Sequence, residues 1–375
     1  GDGKVIQKHQ DRVYCVDISP DGQFIASGGM DGKVYLWDSD GNFYNIIREL
    51  GEEIYTLSFS YGMNKLVAMT TSGTVYEVPF GLTLGKFTRH DNTVRASAFA
   101  PVRLKDGSEV VATAGGTNNE IFIWNAENGE VLQQIAGHGR PVWSVSFGEG
   151  LTAAFGQSPE QAAAARKVQQ KVFDFNNLKL VLQPLGTENF KKARHNYGGL
   201  LLKQRDDLTL QIGNGAKIRN DATTGRTIRA FTFTNTGEVV VGSAGSLRKY
   251  NQSGELLLDF KGHTGEVWDV AVSADGRMLV SASFDQTVKL WNLETGELLA
   301  TLFVTAGNEW ICWSPAGYYA ASAGGEQYVG WHIDKGPEQA AEYYPVKNFR
   351  SRYLKPELLK QIIAAGSFEQ AAADY

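Results

Sequence analysis

Gly262–Leu299 reads GHTGEVWDVAVSADGRMLVSASFDQTVKLWNLETGELL, and this stretch decides the fold. Three runs in it alternate apolar and polar residues: Val267–Val272, Met278–Ala282 and Thr287–Trp291. Alternation at period two predicts half-buried strands. Ser273-Ala274-Asp275-Gly276 and Phe284-Asp285-Gln286 are tight hairpin connections between them. Glu294-Thr295-Gly296 then turns the chain into a fourth strand, Glu297–Leu302. The unit is a four-stranded antiparallel sheet with sequence-adjacent strands paired.

Its polar residues stand at specific places. His263 precedes the first strand, Ser281 lies in the second, Asp285 in the turn and Trp291 in the third. On one blade they can form a buried hydrogen-bond chain, each link contributing about 1 kcal/mol net. With GH near the start and WN in place of WD at the end, the unit resembles a WD-repeat β-propeller blade. Repeats of about 40 residues signal such an architecture.

Working outward, a second full copy spans Arg12–Ser19, Phe24–Ser27 and Lys33–Asp38, with His9, Ser27, Asp31 and Trp37 in the four polar places. Blade two is degenerate, ending Tyr76-Glu77-Val78. Blade three carries His90, Thr113, Asn118 and Trp124. Blade four starts at Gly137-His138 and Val142–Phe147, and its third strand is displaced to Lys171–Phe175. Between lies GQSPEQAAAARKVQ, where Ser158, Pro159 and an alanine run predict a short inserted helix over 158–169. Blade five reads Phe190–His195, Leu200–Gln204 and Leu208–Gly213. Blade six ends SLRKY, blade seven is the opening unit, and blade eight runs Glu309–Ser314, Tyr318–Ser322 and Tyr328–His332. Third strands end near residues 38, 79, 125, 175, 213, 250, 292 and 333.

The expected fold is all-β: a WD-repeat β-propeller of eight four-stranded antiparallel blades, with seven blades and an irregular segment at 178–222 as the alternative. Residues 1–335 form the propeller, and Lys4–His9 supplies a strand that completes the last blade. Residues 336–375 form an extension with one or two helices. Pro356–Ala365 places Leu358, Leu359, Ile362 and Ile363 on one face, and Gly366 can cap its end. That face must dock on the propeller or on a neighbouring domain.

The bulk numbers fit. Apolar residues make up 42% and charged residues 21%, which suits a globular chain. A net charge of −5 argues against a nucleic-acid backbone as partner. The two cysteines, Cys15 and Cys312, have no metal spacing and point to a reducing, cytoplasmic setting. No apolar run is long enough for a membrane helix. The chain opens GDGK without Met, which reads as a piece cut from a longer protein.

No catalytic constellation emerges. His9, His90, His138 and His263 fall at the GH position of the repeat, and His195 and His332 lack a partner at metal spacing. The expectation is a non-enzymatic chain with no cofactor and no metal. One repeated position is more informative. Trp268 in the first strand of the opening unit matches Tyr14, Tyr55, Arg95, Trp143, Arg229 and, by register, Glu309. Most are aromatic or Arg, the types that dominate interface hot spots. The WD-repeat resemblance implies that this position lies on a ligand-facing rim of the funnel. Met30 and Phe284, before the turn aspartates, are expected on the same face. The function read from these residues is a protein- or peptide-binding scaffold, with an enzyme using the central channel as the remote alternative.

The segment Asn308–Gly336 (NEWICWSPAGYYAASAGGEQYVGWHIDKG), with Ala341–Leu359 (AEYYPVKNFRSRYLKPELL), resembles the end of bacterial WD-repeat regions, which are often fused to caspase-like peptidases. The resemblance implies a sensing or regulatory module whose fused effector lies outside this chain.

Overall fold

In the computed structural model of the chain the described residues are 8–117, 119–157, 169–181, 190–220, 227–244, 246–333, 335 and 342–374. The helix expected over 158–169 falls outside them but for residue 169, as do Asn118 and most of the expected Lys4–His9 strand. Two compact units divide the chain, Gly1–Gly137 and His138–Tyr375. The tail lies within the second of these units.

The first unit holds three antiparallel four-stranded meanders. They are β1–β4 (Val13–Ile18, Phe24–Gly29, Lys33–Asp38, Phe43–Glu49), β5–β8 (Thr56–Phe59, Lys65–Met69, Gly73–Glu77, Thr83–Phe87) and β9–β12 (Val94–Arg103, Glu109–Gly115, Glu120–Asn125, Val131–Ile135). The middle strands are the most apolar and the most buried; every residue of β6 is out of solvent. Ala26, Leu36, Ile54 and Leu66 fill the space between the first two sheets. Val67, Val94, Val111 and Trp124 do so between the second and third.

The second unit continues with β13–β16 (Val142–Phe147, Thr152–Gln157, Gln169–Asp174, Lys179–Val181), β17–β20 (Asn196–Tyr197, Leu200–Asp206, Thr209–Ile212, Lys217–Arg219) and β21–β24 (Ile228–Phe233, Val239–Ser243, Ser246–Tyr250, Leu256–Asp259). The opening unit of the sequence forms β25–β28 (Val267–Val272, Met278–Ser283, Thr287–Asn292, Leu298–Val304). The fold is thus all-β, built of four-stranded WD-type blades.

Two elements differ from expectation. Phe190–His195 is not the first strand of the fifth sheet. Its backbone is taken by neighbours: Lys191 exchanges both hydrogen bonds with Phe147, and the Arg194 carbonyl accepts from the Phe233 amide. The strand starts instead at Asn196. The eighth repeat forms its strands but no sheet of its own. β29 (Trp310–Trp313) and β30 (Tyr319–Ala321) extend the seventh sheet through β28. β31 (Gly330–Ile333) pairs with β32 (Glu342–Pro345) of the tail. The cause is the edge of β28, whose unpaired backbone groups template another strand, while Trp310 packs edge-on against Phe173 at 5.0 Å.

The tail ends in α1 (Arg350–Tyr353), α2 (Pro356–Ala365) and α3 (Phe368–Asp374). Pro356 suits the first turn of α2, and Gly366 stops the helix at φ 70°. Leu358, Leu359, Ile362 and Ile363 are buried against the core that contains Met278, Leu299 and Ala320. Polar ties match: Asn292 Nδ2 donates to the Gly366 carbonyl at 2.8 Å, and the Phe368 amide to Glu297 at 2.7 Å.

Candidate partner-binding surface

The first, third and seventh blades are held by chains of side-chain hydrogen bonds. In the seventh, Trp291 Nε1 donates to Ser281 Oγ at 2.8 Å, Ser281 meets His263 Nε2 at 2.7 Å, and His263 Nδ1 meets Asp285 at 2.7 Å. One assignment satisfies all three links: Trp donates to Ser, Ser to His, and His to the carboxylate. Burial pushes the His263 imidazole down, outweighing the raising by Asp285. Burial also pushes the Asp285 carboxyl up, but bonds from His263 and Thr287 outweigh it and hold the group well below the usual carboxylate range. The first blade repeats the arrangement, with His9 to Ser27 and Asp31 at 2.9 Å and Trp37 to Ser27 at 2.9 Å. In the third, His90 meets Thr113 at 3.0 Å and Trp124 donates to Thr113 at 3.1 Å. His138 differs from its GH reading. It is exposed, with its ring 4.9 Å from Tyr328, because Phe155 and Phe173 leave the fourth blade without the hydroxyl and indole partners.

The repeated first-strand position recurs from sheet to sheet. In the first unit Tyr14 and Tyr55, from adjacent sheets, stack with centroids 5.6 Å apart and planes 5° from parallel. The Arg95 guanidinium lies 6.0 Å from the Tyr55 ring. Three residues from three successive blades thus form one row, and the Tyr55 hydroxyl donates to Glu53 at 2.6 Å. In the second unit the Arg229 guanidinium covers Trp268 at 4.8 Å and pairs with Glu266 at 3.4 Å. Met30 and Phe284 are placed by one device: each backbone amide donates to the carbonyl before its own first strand, Arg12 and Glu266 respectively. Met30 is exposed, and Phe284 and Trp143 are half-buried. Glu309 is not open in this way. Its carboxylate accepts from the Ser322 hydroxyl and from the Gly324 amide at 2.9 Å, so it fastens the turn after β30.

Neighbouring sheets are also tied by carboxylates that the sequence reading passed over. Asp17 accepts from the Phe59 amide at 2.7 Å in the first unit, and Asp269 accepts from the Val145 amide at 2.9 Å in the second. The signal was a carboxylate inside an apolar strand. Burial pushes the Asp269 carboxyl up to about 6, against the lowering by the Val145 and Val270 amides. The folded value lies above the unfolded one. The associated stability is therefore complete below pH 3.8 and lost as pH rises through about 6. That displacement is worth about 3 kcal/mol. Asp269→Asn removes the penalty and forfeits one amide bond of about 1 kcal/mol. The variant should be about 2 kcal/mol more stable than the parent at pH 7 and no more stable at pH 4, measured by urea unfolding across that range. A variant weaker at every pH would show that the charge itself holds Val145.

Among the described residues no group of three or more His, Cys, Asp or Glu could hold a metal ion. No helix there is long and apolar enough to cross a membrane. Cys15 and Cys312 are free thiols; burial pushes Cys15 up to about 12 and raises Cys312 as well.

Residues 3–38 and 254–292 match the family described as WD domain, G-beta repeat, so the chain carries WD repeats. The two matched segments hold the two complete His–Ser–Asp–Trp chains. A Periodic tryptophan protein 2 homolog of Dictyostelium discoideum is 26% identical over 144 residues, 38% of this chain and 15% of the relative. Eukaryotic translation initiation factor 3 subunit I of Nematostella vectensis is 22% identical over 76% of this chain and 81% of its own length. Small ribosomal subunit protein RACK1 of Candida albicans is 55% identical over 31% of this chain and 38% of its own. The match spans only about one sixth of the Periodic tryptophan protein 2 relatives.

Proposed function

We propose that this chain is a non-catalytic module that binds a protein or peptide partner through its rim, in a reducing cytoplasmic setting. Tyr14, Tyr55 and Arg95 are the anchor row of the first unit. Arg229 and Trp268, with Trp143, Met30 and Phe284, extend the contact chemistry. The stacked Tyr14–Tyr55–Arg95 row carries the reading. Such half-buried aromatics offer area at little conformational cost, and a preorganised face loses less entropy on binding. Two of the relatives are by name parts of larger assemblies, an initiation factor and a small ribosomal subunit, which supports a chain made to be bound. A role as the regulatory part of a bacterial peptidase-bearing protein draws no support from these eukaryotic relatives.

The test compares capture of partners from lysate by the full chain and by Tyr14→Ala with Tyr55→Ala. The double variant should lose a specific partner, with affinity for that partner down by about 2–4 kcal/mol. Its melting temperature should fall by less than about 4 °C. Unchanged capture, or a melting shift as large as that of a core substitution, would remove the rim from the interface.

A further inference from the structure

The segment Lys191–Asn196 (KKARHN) bridges two sheets of the second unit. Its backbone runs extended between the end of β13 and the end of β21, fixed at Lys191 by Phe147 and at Arg194 by Phe233 and the Thr232 hydroxyl at 2.8 Å. With main-chain groups so engaged, Lys191, Lys192, Arg194 and His195 are left exposed around an open cavity of about 470 Å³ that they line with Ala193 and Asn196. No ion pair involves these four side chains among the described residues. The Lys192 charge acts on Asp269, whose carboxylate oxygens already accept the Val145 and Val270 amides. A chain with net charge −5 thus gathers three cations and an imidazole within five residues, with no ion pair to any of them among the described residues.

We propose that this cavity binds a compact polyphosphate anion. Lysine and arginine offer donors only, and a planar guanidinium beside point-charge ammoniums suits phosphate oxygens. The charges are crowded at one place. An extended acidic peptide spreads carboxylates along about 3.3 Å per residue on alternating sides, so it matches the cluster less well than phosphates linked to one another. A cavity of this size holds a small ligand. The shared chemistry is a chain of phosphate groups, inorganic or carried on a nucleoside.

The probes are tripolyphosphate and a nucleoside triphosphate, titrated calorimetrically into the full chain at an ionic strength of about 0.15 M. Tripolyphosphate should bind one to one, and more weakly as salt rises. Lys191→Gln with Arg194→Gln should weaken it about tenfold or more. The charge-matched control Lys203→Gln with Lys217→Gln, exposed elsewhere in the second unit, should change it less than about twofold. Equal affinity for both probes assigns recognition to the phosphates; a tighter nucleoside triphosphate adds a base contact. In the unsubstituted chain, tripolyphosphate should protect Lys191 and Lys192, and not Lys203 and Lys217, from acylation read by mass spectrometry. That readout stands even if the double variant folds poorly. Absence of binding, equal loss in the control, unprotected lysines, or tighter binding of an acidic peptide or single-stranded RNA than of tripolyphosphate would each overturn the proposal.

Discussion

Trp291→Ala should lower the stability of the chain by about 3–5 kcal/mol. The side chain is 0% exposed and packs among Val240, Val270 and Leu279, with Phe260 edge-on at 5.7 Å. Two losses add. An indole volume disappears from a closed space, and Ser281 loses the donor that points at it. Trp291→Phe separates them: it keeps most of the apolar contact and should lose about 1–2 kcal/mol. The coupling to His263 follows from the direction of the chain of donors. With the indole removed, His263→Ala should lose less than it does alone, because the Ser281 hydroxyl is then free to reorient. Urea unfolding at pH 7 reads all four variants. A loss below about 1 kcal/mol for Trp291→Ala would mean that the hydrogen-bond chain and its packing do not hold the blade.

Why these residues could be found by reading is a matter of period. Strand alternation and the Gly–Asp turns are local, so Val267–Val272, Met278–Ser283 and Thr287–Asn292 appear where the pattern places them, as do the His9 and His263 chains. The Tyr14–Tyr55–Arg95 row was legible for the same reason, since one position in each repeat puts successive side chains side by side. Long-range competition for backbone groups was not legible. β29 alternates like the first strand of a new blade, yet nothing local says that β28 will pair with it. Lys191–His195 likewise has strand-like residues, and only the Phe147 and Phe233 backbones show that its partners lie on two different sheets. Glu309 matched by register alone, while its role is set by Ser322 and Gly324 downstream in the chain.

The tail gives the second large effect. Leu359→Ala with Ile362→Ala should destabilise the chain by about 4 kcal/mol or more. Both residues are fully buried, on the face of α2 that meets the core of the fourth and seventh sheets. They are neighbours on one helix face, so their losses need not sum. A tail meant for another domain would leave this face indifferent to the blades. Here Asn292 and Glu297, both in the opening repeat, bond to Gly366 and Phe368 and fix the helix ends over that core. The Glu357–Lys360 pair on the outer side of α2 supplies the contrast. It is exposed and worth about 0.5 kcal/mol at most, so Lys360→Ala should leave the urea midpoint in place. If the double apolar substitution were as silent as Lys360→Ala, the helices would be an accessory to the blades. A loss of the expected size would make residues 350–374 part of what keeps the seventh blade folded, and Asn292→Ala should then reproduce a fraction of it, about 1 kcal/mol, through the single bond to Gly366.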